Sequence, residues 1–227
     1  MTSLCLLLTQ NCNLKCSYCY EHEKDKSVMS FETAKKSIDN IRPNNIVFFG
    51  GEPLLQQELI LQIIDYEKSN PVEYSIITNA TLINKSFLDR LNERNTRIGW
   101  CVSLDGNAEV NNLTRDRFDL VWEGVQTLIA HGIDTINIRA TITPKNLEYL
   151  SSTYQFFIDN GLTNVQFQWV TGETFSKEDF TLFQKECQKV RDIYVSNKDK
   201  IKKLAFGHFN RNTKFCGYGS HYLVLRT

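Results

Sequence analysis

The sequence predicts an α/β fold in which helices flank a parallel sheet, and three observations lead there. Short β-rich runs alternate with longer amphipathic stretches through most of the 227 residues. The amphipathic stretches carry their own start and stop signals. No low-complexity linker and no repeat of fixed period interrupts the alternation.

In chain order, strands are expected at Leu4 to Thr9, Ile46 to Phe49, Glu73 to Thr78, Ile98 to Ser103, Thr135 to Thr141 and Asn164 to Val170. Helices are expected between and after them: Phe31 to Ile41, Leu55 to Lys68, Lys85 to Glu93, Leu120 to His131, Leu147 to Asn160 and Lys177 to Val195. Ser30 and Asn84 are placed as N-caps, since their side chains can accept from the first free backbone N–H groups. Gly132 and Gly161 stand where a helix ends in a left-handed residue, and His131 reads as a C-terminal capping residue. Strict strand–helix alternation argues for parallel strands with helices outside them; by itself it fits an open or a curled sheet. After Lys203 the periodicity stops and Gly and aromatic residues dominate, which sets a boundary between residues 1–203 and 204–227.

Lysine plus arginine and aspartate plus glutamate number 26 each, so no net field favours nucleic acid or an acidic membrane. The basic stretch Lys198 to Lys203 reads as a solvated helix face. Apolar runs such as Leu4 to Leu8 are too short to span a bilayer. The 7 cysteines are an odd number and no signal-like segment opens the chain, which argues for free thiols in a reducing cytoplasm. Cys5, Cys101 and Cys187 sit in apolar strands or on a helix and read as small core hydrophobes.

Three cysteines stand apart: Cys12, Cys16 and Cys19, in Cys12-Asn13-Leu14-Lys15-Cys16-Ser17-Tyr18-Cys19. Three thiolates closing one tight loop suit a cubic 4Fe-4S cluster whose fourth iron has no protein ligand. A structural zinc ion would want four ligands, and the loop offers one Cys-x-x-Cys pair with His22 as the only nearby histidine.

The run resembles the cluster loop of the radical S-adenosylmethionine (SAM) enzymes, down to the aromatic residue before the last cysteine. The resemblance implies a partial (β/α)6, TIM-like barrel, one 4Fe-4S cluster held by Cys12, Cys16 and Cys19, and SAM bound through its amino and carboxylate groups at the open iron. It implies reductive cleavage of SAM to methionine and a 5′-deoxyadenosyl radical that takes a hydrogen atom from substrate. The motifs fall at strand ends, where such barrels keep their sites. Gly50-Gly51-Glu52-Pro53 resembles the family's GGE motif, which holds the SAM amino group largely through main chain around Gly51. Thr78-Asn79-Ala80 is similar to a Thr-Asn-Gly of relatives, with Ala80 where glycine is usual. In the sulfatase-maturase and peptide-maturase branch the pair corresponding to Ser103 and Arg115 holds the SAM carboxylate. Arg117 is the rival of Arg115, which has the better spacing from the serine. The same resemblance places Tyr18 near the adenosyl group and Val170 and Thr171 against adenine.

Cys216-Gly217-Tyr218-Gly219-Ser220-His221-Tyr222 resembles the opening of the SPASM domain of peptide and protein maturases, a module that normally carries further cluster cysteines. One Cys216 is too few for a second cluster, so a single cluster is expected, with the module missing or cut short. The function implied is hydrogen abstraction from a peptide or protein substrate, with a flavodoxin or ferredoxin as reductant. Two alternatives stand beside it: the same chemistry on a small molecule, and a truncated remnant or accessory subunit that binds SAM and the cluster without turnover.

Overall fold

The computed structural model describes residues 2–21, 25–67, 72–206 and 223–225, the last by backbone alone. The chain divides into two compact units. One comprises Met1–Lys15, Glu21–Val102 and Asp119–Ile136, the other Cys16–Tyr20, Ser103–Phe118 and Asn137–Thr227.

In the first unit the order is β1 (Ser3–Thr9), α1 (Phe31–Ile41), β2 (Asn45–Gly50), α2 (Gln57–Tyr66), β3 (Glu73–Thr78), α3 (Lys85–Glu93) and β4 (Ile98–Ser103, whose last residue belongs to the other unit). The four strands are parallel and pair in that sequence. Ile46, Val47 and Phe48 are buried in succession along β2, as expected of a parallel strand covered on both faces. β1 is different: Leu6 and Leu8 are buried while Cys5 and Leu7 are exposed, so Cys5 is not the core hydrophobe the sequence suggested. The β1–β2 register slips between Leu7 and Thr9, which sets Thr9 opposite Gly50 at the strand ends.

Ser30 and Asn84 cap α1 and α3 as expected, accepting from the N–H groups of Thr33 and Phe87. The stretch read as one helix from Leu55 is divided. Pro53–Gln56 forms a 3-10 turn before α2, because the Glu52 side chain accepts from the Leu54 N–H and Pro53 starts the turn. α2 then buries Leu59, Ile60, Leu61, Ile63 and Ile64, each contributing about 2 kcal/mol of apolar transfer.

After Cys16–Tyr20 the second unit holds α4 (Ala108–Thr114), β5 (Ile136–Ile142, whose first residue belongs to the first unit), α6 (Leu150–Asp159), β6 (Asn164–Trp169), α7 (Lys177–Ser196), β7 (Lys203–Phe206) and β8 (Leu223–Leu225). β5, β6 and β7 are parallel neighbours, and β8 pairs antiparallel with β7. Between α4 and β5 the chain forms α5 (Phe118–Ala130), which apart from Phe118 belongs to the first unit. Ser176 and Asp179 close a capping box on α7. Gly132 and Gly161, with φ of 81° and 74°, follow α5 and α6 in the left-handed conformation expected of them. His131 directly follows the last residue of α5, with its N–H on the Thr127 carbonyl at 3.0 Å, and its ring Nε2 lies 2.8 Å from the Asn92 Nδ2 at the end of α3. Residues 207–222, with Cys216, His208 and His221, lie outside the described residues, as does His22.

Candidate active site

The cysteine loop follows β1. Cys12 belongs to the first unit, Cys16 and Cys19 to the second, and none of the three is in a disulfide.

In the first unit, three strand ends brace the loop. The Gly51 N–H donates to the Thr9 carbonyl at 2.8 Å and the Glu52 N–H to the Asn11 carbonyl at 2.9 Å. This approach is possible because residues 50 and 51 lack side chains. A Cβ on Gly50 would stand 2.3 Å from the Thr9 carbonyl oxygen; one on Gly51 would stand 2.3 Å and 2.4 Å from those of Gln10 and Asn11. The glycines thus admit the protein's own loop backbone.

Glu52 is fully buried. Its Oε1 accepts from the Leu54 N–H at 3.0 Å and the Thr78 hydroxyl at 2.7 Å, and its Oε2 from the Asn79 N–H at 2.8 Å. The carboxylate therefore ties the β2 turn to the end of β3. Asn79 extends the tie: its Nδ2 donates to Asn13 Oδ1 at 2.9 Å and points at Cys12 Sγ at 3.7 Å, while its Oδ1 takes both donors of Thr81. Cys12 Sγ also accepts from the Leu14 N–H at 3.4 Å. Ala80 adopts a left-handed φ of 65° despite its methyl group. Gly124 of α5 makes room for it, since a Cβ there would lie 2.1 Å from the Ala80 carbonyl oxygen.

In the second unit the loop's latter part meets α4. The Ser17 N–H donates to the Thr114 carbonyl at 2.8 Å, and Cys16 Sγ lies 3.9 Å from the Arg115 carbonyl oxygen. Tyr18 donates its hydroxyl to Asp105 Oδ2 at 2.8 Å and accepts from Arg115 Nη1. The Arg115 guanidinium also lies over the Tyr18 ring, 5.7 Å from its centroid. Asp105 gathers further donors, the Thr114 hydroxyl at 2.9 Å and the Thr141 N–H at 2.8 Å. Burial pushes the Asp105 carboxyl up, with Arg115 and the hydrogen bonds pulling the other way. Tyr18 is held well above its usual range by burial first and by Asp105 second. Burial works against the charge of Arg115, but Tyr18, Asp105 and Cys16 outweigh it and the group is raised. Arg115 is buried, and its Nε has no hydrogen-bond partner. Arg117 is exposed.

Ser103 is half-buried at the end of β4, Val170 is buried after β6, and Thr171 is exposed. Asp105, Thr114 and Thr141 were not singled out in the sequence, although Asp105 stands two residues beyond Ser103 and its carboxylate organises this part of the site. Its burial marks it as a site residue, and burial is visible only in the fold.

The donor chemistry fits an iron–sulfur cluster. The three thiols are partly accessible and outside disulfides, and the Cys12 sulfur is offered two N–H donors, a setting that suits sulfur ligation of iron. Among the described residues no three His, Cys, Asp or Glu side chains stand together as a metal cage, so the fit rests on these donors.

A family model described as the Radical SAM superfamily matches residues 6–157. An uncharacterised protein of Methanocaldococcus jannaschii is 33% identical over 92% of this chain and 79% of its own length. The Fe-coproporphyrin III synthase of Methanosarcina barkeri is 27% identical over 88% of this chain, and the serine-type anaerobic sulfatase-maturating enzyme of Bacteroides thetaiotaomicron 31% identical over 74%. The chain spans about half of those two relatives, 52% and 46% of their lengths. A solved structure titled native anSMEcpe with bound AdoMet and a Kp18Cys peptide superimposes with a TM-score of 0.76 at 21% identity, over 89% of this chain and 63% of that one. The shared fold bears out the expected α/β class of the radical SAM type.

Proposed function

The chain belongs to the radical SAM superfamily, and on that premise we propose that it is an enzyme that cleaves SAM reductively and takes a hydrogen atom from a peptide or protein substrate. Cys12, Cys16 and Cys19 would hold one 4Fe-4S cluster, which when bound supplies the electron for SAM cleavage to methionine and a 5′-deoxyadenosyl radical. The observation that carries the reading is Arg115: a buried guanidinium fixed from one side by Tyr18, with an Nε donor unspent. Such a group suits a carboxylate, and with Ser103 it would take that of SAM.

The other residues divide into those that bind and those that hold the binders in place. Main chain around Gly51 would meet the SAM amino group, and Tyr18 and the segment Val170–Thr171 the adenosyl group. Glu52 and Asn79 act through others, because their side chains are engaged in bracing the turn and the Cys12–Asn13 segment. Asp105 orients Tyr18 and thereby Arg115.

Likeness to the sulfatase-maturating enzyme supports the peptide or protein substrate. Likeness to the Fe-coproporphyrin III synthase over 88% of the chain favours a second reading, the same chemistry on a small molecule. The non-catalytic alternative predicts SAM and cluster binding without turnover. A flavodoxin- or ferredoxin-type reductant and a cytoplasmic setting complete the proposal. Anaerobic reconstitution should load about four irons per chain, and dithionite with SAM should then release 5′-deoxyadenosine. A folded, fully loaded protein that yields none would refute the enzyme reading.

A further inference from the structure

β5 and β6 carry a polar ladder in the second unit. Along β5, Ile136, Ile138, Ala140 and Ile142 are buried on one face while Asn137, Arg139 and Thr141 lie on the other. Their partners across the parallel pairing are Asn164, Gln166 and Gln168 of β6. The first rung is closed, with Asn164 Nδ2 donating to Asn137 Oδ1 at 2.6 Å. At the third, Thr141 gives its N–H to Asp105, and its hydroxyl lies beside the Tyr18 hydroxyl. The ladder's face is therefore the one on which Tyr18, Asp105 and Arg115 stand.

The middle rung is open. Arg139 Nε and Gln166 Nε2 are both buried and neither has a hydrogen-bond partner. Among the described residues no carboxylate forms an ion pair with Arg139. A buried guanidinium N–H beside a buried amide N–H, both without an acceptor, is costly in a protein interior. Arg115, by contrast, has Tyr18 and Asp105 for company.

We propose that Arg139 and Gln166 form an anion-recognition pair that receives a carboxylate of the substrate. The assignment rests on the reading above, in which SAM's own carboxylate is taken by Arg115 and Ser103. One guanidinium balances one negative charge, which favours a carboxylate over a phosphate. Neighbouring strands lie about 4.8 Å apart, a spacing that lets one donor from each strand reach the two oxygens of a planar anion. Along β5, Arg139 stands roughly 7 Å from Thr141, so the anchored carboxylate sits a few bonds from a group held beside Tyr18. The substrate is thus carboxylate-bearing, as an acidic side chain of a peptide or as an aliphatic acid on a small molecule.

The test uses the full chain, reconstituted anaerobically, with SAM present. Calorimetric titration compares two probe pairs: a hexapeptide containing glutamate with its glutamine counterpart, and glutarate with glutaramide. Wild type should bind the carboxylate member of at least one pair roughly tenfold more tightly; whichever pair it is identifies the source. Arg139→Gln and, separately, Gln166→Leu should erase or reduce that preference while leaving iron content, SAM affinity and SAM cleavage without substrate unchanged. The proposal is overturned if wild type shows no carboxylate preference in either pair, or if both variants keep it. Loss of 5′-deoxyadenosine in wild type would instead strike the enzyme reading, because that assay does not involve this pair.

Discussion

Glu52→Gln separates two roles for a carboxylate that its motif alone leaves superimposed. If it contacts the SAM ammonium, the substitution should weaken SAM binding and leave the fold intact. The geometry predicts the reverse emphasis. A glutamine can keep its oxygen at the Oε1 position, where it still accepts from Leu54 and Thr78, but its amide nitrogen then faces the Asn79 N–H across 2.8 Å. One bond to a charged acceptor is lost, two fall from charged to neutral strength, and two donors confront each other in a fully buried place. The sum is about 3 kcal/mol, or roughly 6–12 °C in midpoint for a chain of this size. Thermal unfolding followed by circular dichroism measures it without cofactors. Because Asn79 supports Asn13 and Cys12, reconstitution should also become slower or incomplete. An unchanged midpoint together with weaker SAM binding would refute the bracing argument and return Glu52 to the ligand.

Gly51→Ala should be at least as damaging, since the added methyl meets two carbonyl oxygens closer than 2.5 Å and opening that contact costs about 2–4 kcal/mol with the hydrogen bonds it breaks; normal iron uptake and midpoint would contradict it. Cys16→Ala should abolish cluster assembly, whereas Arg115→Ala should spare iron content and weaken SAM binding, read by iron analysis and calorimetry; equal SAM affinity in wild type and Arg115→Ala would show the carboxylate assignment to be wrong. Glu186 of α7, buried yet accepting from Lys189 at 2.6 Å and the Ser151 N–H at 3.0 Å, lies below its ordinary 4.5 because those bonds outweigh burial. Its contribution is present above that value and lost as pH falls through the folded one. Glu186→Gln should therefore be destabilised most near neutrality, with the two melting curves converging below about pH 4.5; a gap that stays constant to low pH would exclude this linkage.

The elements legible in the sequence were those with clean periodicity and local caps. β3, β4, α1 and α3 lie on their expected bounds, because Ser30 and Asn84 mark helix starts and alternating apolar residues mark strands. α4 escaped because Asn111 and Asn112 interrupt a helix of 7 residues that is held by tertiary partners, such as Asp105 N–H on the Asn111 side chain. β7 escaped because its 4 residues follow a charged stretch and owe their form to pairing with β6. The cysteines and Arg115 were legible through spacing. Asp105, the bracing use of Glu52, and the open rung at Arg139 were not, since each depends on which groups meet across distant segments.

Two residues after α4 have a consequence for how this region can change. Asp116 and Arg117 both take left-handed backbone angles, with φ of 69° and 54°, immediately beyond Arg115. Each such angle in a residue with a Cβ costs roughly 1–2 kcal/mol, so the reversal is maintained by its surroundings and has no slack to share out. An inserted or deleted residue there would rotate the arginine away from its tyrosine even if every named side chain survived. Length between the fourth strand and the fifth helix should accordingly tolerate far less variation than composition does.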